Sequence, residues 1–283
     1  VDRLAALARR VPRDQLWVKE FHIWMRGMTA QWMGVTGSHA NSVAPLLIST
    51  EQGYLKSTFC KSLLPPALQR YYMDKVDLTS QGHIERRLAE MGLLNLDEFD
   101  KYAPTKIPLL KNLMQMASLS LCKAYQKNYR SLPRIASFIG TSNRKDLLTD
   151  PTGSRRFICV LVEYPIDCEG IDYAQLYAQL KAEILAGEHY WFTKEEETEL
   201  QQSNMTFYRQ GPVEDALRSC YRAAEKGEGC ELLSSADIFQ RLKKINPAAM
   251  RGANPASLAQ ILIAVGIERK HTKFGNVYRV VSV

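Results

Sequence analysis

The apolar positions of this chain change period along its length, and those changes divide it. Over residues 4 to about 34, Leu16, Trp17, Phe21, Trp24, Met25 and Met28 recur at intervals of three and four, which predicts helix. Gly37-Ser38-His39-Ala40-Asn41-Ser42 reads as a loop. The run 43–48, broken only by Pro45, then predicts a buried strand, and 59–64 predicts helix again. Short apolar runs at 93–96, 135–140 and 157–162 predict further strands, with helical segments between them. Strands alternating with helices imply an α/β fold, a layered sandwich around a largely parallel sheet.

Ahead of the 135–140 run lies an alternating stretch, 118–134, carrying Lys123, Lys127, Arg130 and Arg134. It has room for a hairpin projecting from the sheet. Residues 172–203 turn helical and acidic, and Thr193 with Glu196 three positions on fits a capping box. Gly211-Pro212 punctuates the chain and sets the expected domain boundary. Helices are predicted over 213–225, 235–245 and 255–265, then two strands around Phe274-Gly275-Asn276. Helices followed by a short hairpin are the layout of a winged helix. The expected organisation is an N-terminal helical segment (1–42), an α/β core (43–165), an acidic helical lid or linker (166–212) and a winged-helix-like domain (213–283).

Composition narrows the class. With 46% apolar and 24% charged residues the chain is too rich in core-forming side chains to be disordered. No apolar run is long enough to cross a bilayer. The opening Val1-Asp2-Arg3-Leu4 has neither an initiator Met nor an apolar signal core, so the expectation is a cytoplasmic protein cut from a larger one. Six cysteines without C-x-x-C spacing and five scattered histidines suggest buried thiols and no zinc site. The net charge of +7 is unevenly spread: residues 104–156 carry +8 and 157–212 carry −7. The basic segment is either a polyanion-binding surface or a solvated face, and charge alone does not separate the two.

The run 43–48 leads into Ser49-Thr50-Glu51-Gln52-Gly53-Tyr54-Leu55-Lys56-Ser57-Thr58. Strand, glycine-containing turn, Lys-Ser and helix is the layout of a phosphate-binding loop, with Lys56 on terminal phosphates and the Ser57 hydroxyl on magnesium. Thr50 and Leu55 stand where that pattern has glycines, so the loop alone is a weak match. A second element supports it. The strand at 93–96 ends in Asp97-Glu98, 41 residues after Lys56, and can set Asp97 on the magnesium shell and Glu98 against an attacking water. An acidic turn after a strand is the structural alternative. The strand at 135–140 runs into Thr141-Ser142-Asn143, where a polar side chain can orient water or the γ-phosphate. Arg155-Arg156 follow, with guanidinium forks suited to phosphate oxygens. Either arginine by itself is ordinarily structural.

Taken together, Ser49 through Phe59, Asn95-Leu96-Asp97-Glu98-Phe99-Asp100, Gly140-Thr141-Ser142-Asn143 and Asp150-Pro151-Thr152-Gly153-Ser154-Arg155-Arg156-Phe157 resemble the virulence-associated protein E family. These are AAA+-type P-loop ATPases related to superfamily III helicases, carried by mobile elements and prophages and hence bacterial or phage-encoded. The resemblance covers about residues 1–210 and extends more loosely beyond. It implies an AAA+-like three-layer core, ATP and Mg2+ as cofactors, and a phosphate loop formed by Gln52, Gly53, Lys56, Ser57 and Thr58. It implies Ser57 and Asp97 at the metal, Glu98 as catalytic base, Asn143 as sensor, and Arg155 or Arg156 as a finger reaching a neighbour's ATP in a homo-oligomeric ring. It also implies a primase-like region upstream and a pore hairpin for single-stranded DNA. In that hairpin Lys123, Lys127, Arg130 and Arg134 would track phosphates while Tyr125 and Tyr129 stack on bases; tyrosines that pack the hairpin on the core are the alternative reading. Arg269, Lys270 and Lys273 flank the expected wing.

The expected function is ATP-dependent DNA remodelling or unwinding in replication of a mobile element or prophage. Two alternatives stand beside it: a nucleotide-binding DNA scaffold that does not hydrolyse, and a winged-helix DNA-binding regulator. Leu55 is what keeps the scaffold open, because the glycine it replaces lets the backbone curl around a phosphate.

Overall fold

In the computed structural model, which describes residues 2–11, 14–37, 39–122, 129–148, 151–208, 211–225, 227–273 and 275–283, the predicted N-terminal helical stretch is two helices. They are α1 (Arg3–Ala8) and α2 (Gln15–Met33), each started by an aspartate: Asp2 accepts from the Ala5 amide and Asp14 from the Leu16 amide. Gly34, at φ 69°, closes α2 in the left-handed conformation that a helix end uses. The chain then runs through β1 (Ala44–Ile48), α3 (Lys56–Ser62), β2 (Tyr72–Met73), α4 (Gln81–Glu90), β3 (Leu93–Leu96) and α5 (Ile107–Gln115). A hairpin of β4 (Ser118–Cys122) and β5 (Tyr129–Pro133) follows, then β6 (Ser137–Ser142), β7 (Phe157–Leu161), α6 (Tyr173–Leu185) and α7 (Lys194–Ser203).

Five strands form one parallel sheet in the order β2-β3-β6-β1-β7. Helices cover both faces, as a parallel sheet requires. Along β1, Leu47 enters one core with residues of α1, α2, α3, α6 and α7, while Ala44, Leu46 and Ile48 enter a second with residues of α4 and α5. This is a three-layer α/β arrangement. At its centre Gly140 is paired with Leu46 on one side and Leu96 on the other. A Cβ there would stand 2.6 Å from Leu46 Cδ2 and 3.0 Å from the Leu96 carbonyl, so only glycine lets the three strands close up. Their carboxyl ends, and the residues just beyond them, therefore emerge side by side.

Two expected boundaries shift. The acidic helices α6 and α7 do not form a separate lid or linker: Leu176, Leu180 and Leu200 lie in the same core as Trp17, Phe21 and Trp24. The first compact unit runs Val1–Tyr208 and the second Arg209–Val283, slightly before the Gly211-Pro212 boundary. The capping box at Thr193 and Glu196 is present.

The second unit contains α8 (Pro212–Arg218), β8 (Tyr221–Ala223), β9 (Glu231–Ser234), α9 (Ser235–Ile245), α10 (Pro255–Ala264), β10 (Arg269–Thr272) and β11 (Gly275–Ser282). The helix expected over 213–225 stops at Arg218, and Tyr221–Ala223 pairs with β11 instead. Strand β11 also pairs antiparallel with β9 and β10, so one long strand organises the sheet. Leu217, Ile238, Leu242, Leu258, Leu262 and Val280 form its own core. Among the described residues no helix is long and apolar enough to cross a membrane.

One core residue makes folding sensitive to pH. Glu20 of α2 is 5% exposed, and its Oε1 has no hydrogen-bond partner. Burial, aided by the negative charges of Glu199, Asp14 and Glu196 against the weaker opposing effect of Lys19, pushes its carboxyl up from 4.5 to about 8. The folded chain keeps a proton that the unfolded chain releases, so stability is full below the unfolded value and is lost as pH rises toward 8. Urea unfolding at pH 5 and pH 8 is expected to show the wild type weaker at pH 8. Glu20→Gln should remove a pH-dependent penalty of about 3 kcal/mol at neutral pH. Parallel pH profiles for the two proteins would show that Glu20 is ionised in the fold.

Candidate functional site

The loop after β1 is held by its own side chains. The Ser49 amide donates to the Ser142 carbonyl at 3.1 Å, joining the ends of β1 and β6, and the Glu51 amide donates to Ser49 Oγ at 3.1 Å. Gly53 takes φ 82° and Leu55 takes φ 59°. Leu55 thus takes the left-handed backbone that a glycine at its position would adopt freely. For a leucine this costs roughly 1–2 kcal/mol. Directly behind it Lys56 opens α3, whose Phe59 and Cys60 are buried and fix the helix to the core.

The ends of three neighbouring strands supply one cleft of about 360 Å3, lined by Gln52, Gly53, Tyr54, Leu55, Lys56, Ser57, Thr58, Asp97, Glu98, Thr141 and Asn143. The buried Lys56 ammonium donates to Asn143 Oδ1 at 3.1 Å and to the carbonyls of Ser49 and Glu51 at 3.4 and 3.5 Å. Burial pulls its pKa below the ordinary lysine value, while Asp97 and Asp100 act in the opposite sense. Asp97 Oδ1 accepts from Ser57 Oγ at 2.8 Å and from Thr141 Oγ1 at 2.7 Å. Glu98 follows in a left-handed conformation, φ 51°, with its amide donating to Thr141 Oγ1 at 3.2 Å. That bend turns the carboxylate to the cleft mouth, where it pairs with Lys101 at 2.5 Å.

Two residues quoted in the motifs gain roles that sequence reasoning had not given them. Thr141 joins Asp97 to the Glu98 backbone. Asp100 accepts from Ser142 Oγ at 2.9 Å and from the Asn143 amide at 3.2 Å, which orients the Asn143 side chain toward Lys56. The signal for Thr141 was its position at the end of a strand beside Asp97, visible only once strand order is known.

The arginines lie apart from this cleft. Arg155 lies in the turn Pro151–Arg156 and pairs with Glu197 of α7 at 3.1 Å, and half-buried Arg156 donates to the Lys111 carbonyl at 3.1 Å. Burial, with Arg155 alongside, lowers the Arg156 pKa. Of the residues expected to meet DNA, Lys123, Tyr125 and Lys127 lie outside the described residues. Tyr129 contributes backbone to β5, and Arg130 in the same strand is exposed. Arg134 is a correction. It is 2% exposed, and its guanidinium donates to the carbonyls of Leu113, Met114 and Asn41 and to Gln31 Oε1, so it has no free face for a phosphate.

Comparisons with known proteins divide the chain within one residue of where the fold does. The virulence-associated protein E-like domain matches residues 2–209, and a domain of unknown function from B. theta (DUF3874) matches 210–280. No curated protein matches. Solved structures similar to the chain include three apo structures of the NrS-1 C-terminal region, two of them of its A form. Identities are 12%, 13% and 11%, with TM-scores of 0.43, 0.48 and 0.45. In each case the whole of this chain is covered, against 76%, 75% and 76% of the other.

Proposed function

The chain belongs to the virulence-associated protein E-like family, and from that premise we propose that its first unit is an ATPase that remodels or unwinds DNA during replication of a mobile element or prophage. The observation that carries this reading is the convergence of Lys56, Ser57, Asp97, Glu98, Thr141 and Asn143 on one cleft from the ends of β1, β3 and β6. Lys56 would meet the β- and γ-phosphates in exchange for its present carbonyl and amide partners. Ser57 Oγ and Asp97 Oδ1, 2.8 Å apart in an open cleft, are hard oxygen donors of the kind magnesium takes while it keeps several waters. Bound there, the ion would neutralise charge on the phosphates. Glu98 at the mouth would take a proton from the attacking water, and Asn143 would report on the γ-phosphate.

In a ring of copies, Arg155, exposed apart from its Glu197 contact, would be the finger that reaches a neighbour's phosphates. The hairpin of β4 and β5 would hold single-stranded DNA, and the second unit would act as a winged helix with β10 and β11 as its wing. Phosphate release from ATP, followed with and without single-stranded DNA, tests the reading. Turnover that DNA stimulates and Lys56→Ala abolishes is expected. Failure to bind ATP with Lys56 intact would sink it. ATP bound but never hydrolysed would favour the scaffold reading.

A further inference from the structure

The turn that carries Glu98 also carries a restraint on it. Glu98 leads into the short helical turn Phe99–Lys101 from a left-handed backbone, φ 51°. Lys101 closes that turn: its amide donates to the Glu98 carbonyl at 2.8 Å, and its ammonium donates to Glu98 Oε1 at 2.5 Å. Phe99 is buried, with its ring centroid 5.0 Å from that of Phe157. Asp100 is tied to Ser142 Oγ and to the Asn143 amide. The backbone of the turn is therefore fixed from two sides. What can still move is the Lys101 side chain, 65% exposed on a flexible four-carbon stem.

This pair puts two demands on one carboxylate. To take a proton from water, Glu98 must face that water with its charge available. An ammonium in contact holds the carboxylate elsewhere and offsets part of its charge. An exposed pair of this kind is weak, and other ions compete for it readily. Phosphate oxygens are strong acceptors for a lysine ammonium. A second exposed cation stands at the same turn. Ser142 Oγ, which holds Asp100, also accepts from the Arg144 amide at 3.0 Å, and the Arg144 side chain meets only the exposed Asp146 at 2.8 Å. A run of backbone phosphates reaching Arg144 and Lys101 together would draw the Lys101 ammonium off Glu98.

We propose that Lys101 is a positioning residue that restrains Glu98 in the resting protein, and that nucleic-acid phosphates relieve the restraint by taking the Lys101 ammonium from it. The proposal rests on the ATPase reading above. It makes the coupling of turnover to DNA a competition between two anions for one cation.

The experiment compares wild type, Lys101→Met, Glu98→Gln and the double variant. Phosphate release is measured at saturating magnesium-ATP with and without single-stranded DNA, and ATP affinity is measured directly in parallel. Lys101 is exposed, so methionine should leave the fold intact. Without DNA, Lys101→Met should turn ATP over about two- to five-fold faster than wild type, the most that an exposed ion pair can withhold. With saturating DNA the two rates should meet, so the stimulation factor falls by the same two- to five-fold. In the Glu98→Gln background Lys101→Met should give no gain, because the charge that Lys101 restrains is gone. Turnover without DNA that is unchanged or slower in Lys101→Met would overturn the restraint and leave the ATPase reading standing. A gain that persists in the Glu98→Gln background, or DNA stimulation that is undiminished, would overturn it equally. If the wild type never hydrolyses ATP, the ATPase reading falls and this proposal with it.

Discussion

Replacing Glu98 with Gln is expected to leave magnesium-ATP bound and to slow its hydrolysis about a hundred-fold or more, the usual loss when a general base is removed. The geometry argues for separable effects. Asp97 points inward and accepts from both Ser57 and Thr141, whereas Glu98 is turned outward by its left-handed backbone and held by Lys101 at the cleft mouth. Gln keeps the shape of Glu98 and loses only its charge and basicity, so affinity should persist. Asp97→Ala should do the opposite and abolish magnesium-dependent binding, because the cleft then keeps hydroxyls but no anionic ligand at Ser57. Single-turnover phosphate release with nucleotide binding measured separately distinguishes them. Equal turnover in Glu98→Gln and wild type would remove Glu98 from the mechanism.

Arg134→Met should cost about 3–5 kcal/mol of stability, the loss typical of removing one partner from a buried charged network. Helix α5 ends without a basic residue in its last turn, and Arg134 caps the Leu113 and Met114 carbonyls from across the fold. The same guanidinium holds Gln31 Oε1 and the Asn41 carbonyl. Gln31 in turn donates to the carbonyls of Ile135 and Ala136, and Asn41 Nδ2 donates to Ser137 Oγ. Burial pulls the Arg134 pKa down to about 9, which still leaves it charged at neutral pH. Methionine fills similar space but donates to none of these acceptors, and unpaired buried acceptors cost about 1–3 kcal/mol apiece before relaxation. Urea unfolding measures the loss. A deficit below about 1 kcal/mol would mean that the surrounding amides repair the network on their own.

The two substitutions mark where local sequence stops and tertiary structure takes over. Runs such as Leu93–Leu96, the capping box at Thr193 and Glu196, and the start of α9 at Ser235 were legible because their signals span only a few residues. A buried strand needs a short apolar run, and a cap needs one side chain near one free amide. The motif residues Lys56, Ser57, Asp97, Glu98 and Asn143 could be named for the same reason, since each sits just past an apolar strand or at a helix start. That β6 inserts between β1 and β3 is not written locally. Gly140 permits the close approach that this order needs, and the order is what sets Thr141 against Asp97 and Asn143 against Lys56. The short strands β8 and β9, with little apolar alternation of their own, exist because β11 pairs with them. Arg134 looked like one more basic residue in a +8 segment, since charge pattern alone is the same for a side chain that reaches solvent and one that turns inward. Which it does depends on acceptors supplied by Gln31, Asn41, Leu113 and Met114, far away in the chain and gathered only by the packed layers.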